Sequence, residues 1–311
     1  MRSDGFRHEA FLYAGTEEFL VHAFTFLGQA VSANEPALVM TDSHKVERLR
    51  AALGDHAGRV EFVDMAVIGC NPAQIIPAWR AFADTHAESA GLWGIGEPIW
   101  AGRTPAEMVE CRHHEALLNL AFADAPDFHL LCPYDTATLA PAVIDAAHST
   151  HPTIRHDDGR HDSAVFAGID GDALLAESLP APRDAAVQIE FGRHDLAAVR
   201  HHVERLAAAV GLGLKHARDV VLAVDEVATN SQLHGGGGGV LLSWVDARAL
   251  VCEIRDSGQL SDPLVGRRCP PPSQIGGRGL WIANQLCDLV QVRSSGAGTV
   301  VRLHKRLRAR C

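Results

Sequence analysis

The sequence predicts an α/β protein of two domains, a parallel sheet flanked by helices and then a smaller α/β sandwich. A chain of 311 residues, of which 47% are hydrophobic, is long enough to bury two cores. Over the first half, short apolar runs alternate with stretches of helical period, which is typical of a parallel α/β sheet. In the second half, two helical stretches are followed by a glycine run and by apolar strands.

The first half contains five predicted strand and helix units. The strands are expected at residues 10–13, 37–41, 60–64, 92–96 and 129–132, and the helices at 17–33, 43–53, 72–86, 105–123 and 137–147. Ligands of such sheets bind outside the carboxyl ends of the strands. The turn after the first strand lacks the lysine and the second glycine of a P-loop, so triphosphate binding there is not expected.

Polar and aromatic residues follow several of these strands. Tyr13 ends the first strand, Glu97 and Trp100 follow the fourth, and Tyr134 follows the fifth. Glu115 and Asn119 lie four apart, on one stripe of the helix between the last two strands. For Trp100 and Tyr134, ordinary core packing is the alternative interpretation.

Four segments, at residues 12–18, 96–100, 114–119 and 131–135, together resemble the MEDS domain. That family is a sensory module with a RecA/KaiC-like fold and without a P-loop. The resemblance spans residues 8–150 and implies a small-molecule sensory role. The implied sensory pocket consists of Tyr13, Glu97, Trp100, Glu115, Asn119 and Tyr134.

A polar stretch without periodicity follows and predicts a linker over residues 151–184. Residues 148–162 contain four histidines and three aspartates, a composition that could hold a metal. A polar connector explains the same residues and is the favoured interpretation. Two prolines, Pro180 and Pro182, extend the linker because they disfavour regular structure.

The second half is expected to form a mixed sheet covered on one face by three helices. The strands are predicted at residues 186–191, 240–245, 250–255, 289–294 and 299–303, and the helices at 195–210, 214–233 and 280–286. The five-glycine run 235–239 ends the second helix.

Three short motifs in this half suggest nucleotide chemistry. Glu226 and Asn230 lie on one helical stripe, where a carboxylate and an amide suit Mg²⁺ that bridges phosphates, although a solvated helix face is the alternative. Asp256 ends a strand two residues before Gly258, so that a carboxylate could bind an exocyclic amine while the glycine admits a flat base. The glycine-rich stretch 276–280 opens a helix, and its backbone N–H groups could cradle an anion.

In this order the motifs resemble the N, G1 and G2 boxes of the GHKL (Bergerat) ATPase fold. The compact form is most similar to anti-sigma-factor serine/threonine kinases of the RsbW and SpoIIAB type, over residues 185–308. The resemblance implies ATP and Mg²⁺ as cofactors, with Glu226 as general base and Asn230 as metal ligand. The remaining implied nucleotide contacts are Asp256, Gly258, Gly277, Arg278, Gly279, Leu280 and Thr299, of which Thr299 is expected to support the Asp256 carboxylate. The sequence departs from this family in the lid, the segment 259–273 between Gly258 and the glycine-rich stretch. Three consecutive prolines at residues 270–272 predict that this lid is stiff.

Composition excludes several other classes of protein. A formal net charge of −10 argues against nucleic-acid binding. The sequence contains no uninterrupted apolar run near 18 residues and no apolar amino-terminal segment, which argues against a membrane protein. The seven cysteines include no Cys-x-x-Cys pair, as expected for a cytoplasmic protein rather than a disulfide framework or a zinc site.

The favoured function is therefore a cytoplasmic kinase that controls a sigma-factor partner switch. Its N-terminal sensory domain would regulate the kinase domain. Its implied partners are a sigma factor or an anti-sigma-factor antagonist, and a homodimer is compatible with this class. A sensor histidine kinase is one alternative, but it needs a phosphoacceptor histidine on a dimerising helical hairpin before the ATPase domain. A nucleotide-dependent binding module that transfers no phosphate is the other.

Overall fold

The computed structural model describes residues 5–125, 127–156, 159–182, 186–246, 248–271, 273 and 276–307. The chain divides into two compact units, Met1–Ile169 and Asp170–Cys311. Each unit has its own sheet and its own apolar core, which confirms the predicted pair of α/β folds. Among the residues described, no helix is both long enough and apolar enough to cross a bilayer.

The first unit is a sheet of strands with helices between them. Its strands are β1 (Phe6–Tyr13), β2 (Ala37–Thr41), β3 (Val60–Asp64), β4 (Leu92–Gly96), β5 (Phe128–Asp135), β6 (Thr153–His156) and β7 (Gly159–Asp162). Its α-helices are α1 (Thr16–Ala33), α2 (Ser43–Leu53), α3 (Met65–Ile68), α4 (Ile75–Thr85), α5 (Pro105–Ala121) and α6 (Pro141–Thr150). The strand order is β3-β2-β4-β5-β1-β6-β7, and only the β6–β7 pair is antiparallel.

Several element boundaries in this unit differ from the prediction, and two of the differences have a clear physical cause. Strand β1 begins at Phe6 rather than at residue 10. The prediction began too late because His8 and Glu9, which are buried inside the strand, interrupt its apolar pattern. Helix α6 begins at Pro141, since Leu139 N donates to Asp135 O in a turn and proline suits the first helical position.

Strands β6 and β7 lie within the range that the sequence analysis assigned to a linker. Strand β6 pairs in parallel with β1, with Ala10 opposite Ile154, and β7 completes an antiparallel hairpin. Arg155 and Arg160, one in each strand of the hairpin, both form ion pairs with the buried Glu9. A polar sequence therefore forms regular structure here, because its charges find a partner in the neighbouring strand.

The second unit is an antiparallel sheet packed against helices. Its elements are α7 (Gly171–Ala176), β8 (Val187–Phe191), α8 (Leu196–Ala209), α9 (Leu214–His234), β9 (Gly239–Asp246), β10 (Ala249–Asp256), α10 (Gly279–Leu286), β11 (Leu289–Ser295) and β12 (Gly298–Arg306). The strand order is β11-β12-β10-β9-β8, and every pair in it is antiparallel. The expected mixed sheet is therefore wrong, and the consecutive strands β9 and β10, like β11 and β12, pair antiparallel with each other.

Alternation along β10 decides which face of this sheet carries the core. Leu250, Cys252 and Ile254 belong to the apolar cluster formed with α8, α9 and α10. Helix α9 contributes Val220, Ala223, Val224, Val227 and Ala228 to that cluster. Because β10 ends at Asp256 in the same alternation, the aspartate points toward the helices rather than toward the opposite face.

Candidate functional site

Helix α9 carries two of the predicted site residues on the polar stripe that faces away from the core. Glu226 and Asn230 are half-buried and lie one turn apart, while the apolar stripe of the helix is buried in the core. The helix ends where Gly235 N donates to Ser231 O, at 2.9 Å. Asp225, the residue before Glu226, forms a 2.8 Å ion pair with Arg200.

The first turn of α10 lies directly against that stripe. A Cβ atom at Gly279 would lie 2.8 Å from Asn230 Nδ2 and 3.2 Å from Glu226 Oε2. Only glycine fits this approach without a shift, so the Glu226 and Asn230 side chains and the α10 amino terminus share one place. Leu280 is buried in the core and anchors the helix there.

Gly277 and Arg278, the two residues before α10, have different surroundings. Gly277 is exposed and has a φ of 71°, a conformation that favours glycine. The Arg278 guanidinium donates from Nη2 to Pro271 O at 3.0 Å, so in this structure it contacts the proline-rich segment.

Asp256 is held in place by two hydrogen bonds. Its Oδ2 accepts from Ser231 Oγ at 2.6 Å, and its Oδ1 accepts from Gly258 N at 2.8 Å. A Cβ at Gly235 would lie 2.4 Å from Asp256 Cγ, so the glycine that ends α9 makes room for this carboxylate. Ser231 directly follows Asn230, and therefore one turn of α9 positions both the amide and the carboxylate.

Thr299 contacts the same corner by a different route from the one predicted. Its Oγ1 donates to Gly258 O at 2.8 Å and lies 3.1 Å from Ser294 Oγ. The sequence analysis expected Thr299 to support the Asp256 carboxylate, whereas its hydroxyl bonds the backbone two residues later. The sequence analysis did not identify Ser231 or Ser294, because lone serines carry no spacing signal.

The segment between Gly258 and α10 is docked at its amino-terminal part. Leu264 is buried, and Asn284 Nδ2 of α10 donates to Gly266 O at 2.9 Å. Leu260 N donates to Ser294 Oγ at 2.8 Å. This part of the lid therefore contacts both α10 and β11.

In the first unit, Tyr13 and Glu97 meet at the carboxyl ends of their strands. Tyr13 Oη donates to Glu97 Oε1 at 2.5 Å, and Thr41 Oγ1 donates to Glu97 Oε2. Lys45 Nζ lies 2.6 Å from Glu97 Oε1 and 2.8 Å from Tyr13 Oη. Burial raises the pKa of Tyr13, and the adjacent Glu97 carboxylate raises it further. We call Tyr13, Thr41, Lys45 and Glu97 the strand-end cluster; Thr41 and Lys45 were not predicted.

Three other sensory candidates, Glu115, Asn119 and Tyr134, lie on the opposite face of the same sheet. Leu12 pairs with Tyr134 and Tyr13 pairs with Asp135, so the side chains of Tyr13 and Tyr134 point to opposite faces. Glu115 and Asn119 of α5 meet His8, Cys132 and His151 on the Tyr134 face. The ring centroids of Tyr134 and His151 are 5.6 Å apart. Five of the six residues predicted as one pocket therefore divide between the two faces, with Tyr13 and Glu97 together on one and Glu115, Asn119 and Tyr134 on the other.

Trp100 has a different neighbour again. The Arg103 guanidinium stacks over its ring, 3.6 Å from the centroid. Arg103 in turn donates to Gly69 O at 2.7 Å and to Pro98 O at 3.0 Å. The indole is thus held by a backbone-anchored arginine.

Three ionisable groups of the second face have shifted pKa values. Burial would raise the pKa of Glu115, but the adjacent His151 and His8 side chains outweigh it and hold that pKa well below its usual range. Burial, with His151 nearby, lowers the pKa of His8 to about 4. Burial and the adjacent Glu115 raise the pKa of the Cys132 thiol.

Comparison with known proteins identifies each unit separately. Residues 7–152 match the MEDS family, described as the methanogen/methylotroph DcmR sensory domain. Residues 192–305 match the histidine kinase-like ATPase domain. No curated protein matches the chain.

A solved structure of the RsbU and RsbW domains of Rv1364c from Mycobacterium tuberculosis is similar at 20% identity, with a TM-score of 0.31. The match covers 41% of this chain and 33% of that chain, so it spans about a third of that protein. At the level of domain family, both resemblances read from the sequence are confirmed by the two family models. The chain therefore carries an N-terminal MEDS sensory domain and a C-terminal histidine kinase-like ATPase domain.

Proposed function

We propose that the C-terminal domain binds ATP with Mg²⁺ and transfers phosphate to a serine or threonine of a partner protein. The partner is an anti-sigma-factor antagonist or the sigma factor itself, in the cytoplasm. The observation that carries the proposal is the close approach of Gly279 to both Asn230 and Glu226. It brings the amino terminus of a helix to the carboxylate and amide that a metal–triphosphate needs.

The described residues fit such a ligand chemically. The Asn230 amide oxygen is a hard donor of the kind that holds Mg²⁺, and the α10 amino terminus, with Gly277, Gly279 and Leu280, offers backbone N–H groups to phosphate. When bound, Mg²⁺ would neutralise charge on the phosphates. Arg278 would add a second positive contact after leaving Pro271.

The base would be recognised at Asp256. Ser231 and Gly258 each donate one hydrogen bond to a different oxygen of this carboxylate. Each carboxylate oxygen retains a further acceptor site, so the group can also accept a hydrogen bond from an adenine amine. Thr299 holds the Gly258 backbone, where a flat ring would lie close to the chain.

Glu226 is our candidate for the general base. It lies one helical turn from Asn230 and beside the first turn of α10, where the terminal phosphate would meet an incoming hydroxyl. Glu226→Gln should therefore remove phosphate transfer while ATP still binds.

Two alternatives predict different products. A sensor histidine kinase would need a helical hairpin before the ATPase domain, yet the described residues between 151 and 195 contain β6, β7, β8 and the six-residue α7. That observation speaks against the hairpin. A non-catalytic binding module would bind ATP and transfer nothing, and the docked lid keeps this alternative open.

Calorimetry of ATP binding, with and without Mg²⁺, tests the site. Wild-type protein should bind with Mg²⁺, and Asn230→Ala should lose the Mg²⁺-dependent part of the affinity while the circular dichroism spectrum is retained. Gln232→Ala is the matched control, because Gln232 is an amide on the same helix that bonds Gly192 O instead. Unchanged affinity in Asn230→Ala would count against the assignment.

Labelled ATP with a candidate antagonist then separates the three functions. Phosphoserine or phosphothreonine on the partner supports the kinase, phosphohistidine on this chain supports the alternative kinase class, and binding without transfer supports the binding module.

For the N-terminal domain we propose small-molecule sensing at the strand-end cluster. Tyr13 ends β1, Thr41 ends β2, and Glu97 directly follows β4, so the cluster lies at the edge where such sheets bind ligands. Isothermal titration of small alcohols and organic acids against wild-type and Tyr13→Phe protein tests this assignment.

A further inference from the structure

Four side chains that no step above uses converge inside the N-terminal domain. They are His8 of β1, Glu115 of α5, Cys132 of β5 and His151 at the end of α6. One ligand atom from each lies within 4.8 Å of the others, and all four residues are at most 2% exposed. We call them the four-residue cluster.

The backbone of the fold explains why they meet. Cys132 pairs with Ala10, and His8 lies two residues before Ala10, so both side chains point to the same face of the sheet. Helix α5 lies on that face, since Glu115 Oε2 is 3.1 Å from His8 Nε2. His151 is the residue that ends α6.

The hydrogen bonds fix the tautomers of both imidazoles. His151 Nδ1 lies 2.9 Å from Ala147 O and 3.0 Å from Thr150 Oγ1. The carbonyl only accepts, and the hydroxyl is already a donor to Ala146 O and Ala147 O, so we assign the proton to Nδ1. His8 Nδ1 lies 3.2 Å from Asn119 Oδ1. The Asn119 nitrogen is engaged with three backbone carbonyls, so its oxygen is the acceptor and His8 Nδ1 is the donor.

When both rings are neutral, their Nε2 atoms therefore present lone pairs toward the Glu115 carboxylate. His8 Nε2 lies 3.1 Å and His151 Nε2 3.3 Å from Glu115 Oε2, and Cys132 Sγ lies 3.3 Å from His8 Nε2. Within the described residues, His151 Nε2 and Glu115 Oε1 have no hydrogen-bond partner. Lone pairs that face one another in a dry interior are unfavourable unless a cation lies between them.

We propose that the four-residue cluster binds a divalent transition-metal ion of the zinc class. Zinc prefers four ligands drawn from imidazole nitrogen, thiolate and carboxylate, with tetrahedral edges of roughly 3.3–3.7 Å. Three of the six separations between ligand atoms, 3.1, 3.3 and 3.3 Å, are close to those edges, and all six are within 4.8 Å. A thiolate and a carboxylate balance the two charges of the ion, so the buried site is neutral overall.

The surroundings match those of metal-ligating histidines in general. Such histidines donate their second ring nitrogen to a carbonyl or carboxylate oxygen, as His151 does to Ala147 and His8 to Asn119. Four protein ligands leave no open position, which is typical of a structural rather than a catalytic site. The metal would join β1, α5, β5 and the end of α6, and so stabilise the N-terminal domain.

Metal analysis of the purified full-length chain tests the proposal. Protein from zinc-supplemented cells, purified without chelator, should retain about one zinc per chain. Replacement by Co²⁺ should give tetrahedral visible bands and a thiolate-to-cobalt charge-transfer band. Cys132→Ser should lose that charge-transfer band, and Cys111→Ser should retain it, since Cys111 is a buried thiol of the same domain outside the cluster.

The outcomes are decisive in either direction. A folded wild-type chain that holds no zinc and takes up no Co²⁺ overturns the proposal, as does Cys132→Ser with unchanged metal content and spectrum. If Cys132→Ser fails to fold, the wild-type cobalt spectrum alone decides, because only a thiolate ligand produces the charge-transfer band. None of these readouts depends on nucleotide binding, so failure here and failure of the proposed kinase function are separable.

Discussion

Ser231 Oγ donates a 2.6 Å hydrogen bond to Asp256 Oδ2 and so joins α9 to the end of β10. Ser231 is buried and directly follows Asn230 on the helix. The proposed metal ligand and the proposed adenine acceptor are thereby kept at a constant separation.

Replacing Ser231 by alanine should weaken ATP binding and the fold together. The Asp256 carboxylate would lose one of its two donors, and hydrogen bonds to charged groups contribute about 1.5–3 kcal/mol. We expect the free energy of unfolding of the C-terminal domain to fall by about 1–2 kcal/mol, as measured by urea denaturation, with a lower ATP affinity. Ser295→Ala, at an exposed end of β11, should change neither quantity.

Gly279→Ala should weaken Mg²⁺-dependent ATP binding without unfolding the chain. The added Cβ would lie 2.8 Å from Asn230 Nδ2, so the amide or α10 must move. We expect an affinity loss of more than about tenfold, or about 1.4 kcal/mol, by calorimetry. Gly213→Ala is the control, because a Cβ there meets no atom within 4 Å. Wild-type affinity in Gly279→Ala would contradict the site geometry.

Lys45→Met should destabilise the N-terminal domain more than the pair of changes Lys45→Met and Glu97→Gln. The single change leaves the Glu97 carboxylate, whose side chain is 6% exposed, without its cation, which costs about 3 kcal/mol. The double variant removes that charge as well. Calorimetric melting of all three proteins compares them, and equal losses in the single and double variants would show that the pair is not coupled.

Cys252 should resist alkylation at pH 8 in the native protein. Burial raises the pKa of this thiol to about 12, so roughly one in 10⁴ is ionised at pH 8. Cys269 is exposed and should react with iodoacetamide first. Peptide mapping by mass spectrometry reads both positions, and both should react in denaturant. Equal native labelling of the two cysteines would mean that β10 opens readily.

The motif residues of the C-terminal domain could be predicted because their spacing reports local geometry. Glu226 and Asn230 share a helical stripe whatever the rest of the chain does, and glycine at 279 marks a close approach. Ser231 could not be identified in this way, since its role depends on which residue β10 brings opposite it.

In the N-terminal domain, several features could not be predicted from local sequence patterns. Periodicity predicted its parallel sheet, but buried His8 and Glu9 hid the start of β1. The division of Tyr13 and Tyr134 between two faces follows from strand register, which one sequence does not display. The four-residue cluster likewise unites positions 8, 115, 132 and 151, and no local spacing connects them.

The hairpin β6–β7 has a practical bearing on how this protein can be dissected. A fragment that ends at residue 152, where the family match ends, would lack β6, which pairs with β1. The unpaired backbone groups of β1 would then form an exposed sheet edge that is prone to aggregation. The same fragment would also deprive the buried Glu9 of both arginines that hold it. Cutting after residue 169 retains a short, charged outermost strand, which discourages edge-to-edge aggregation.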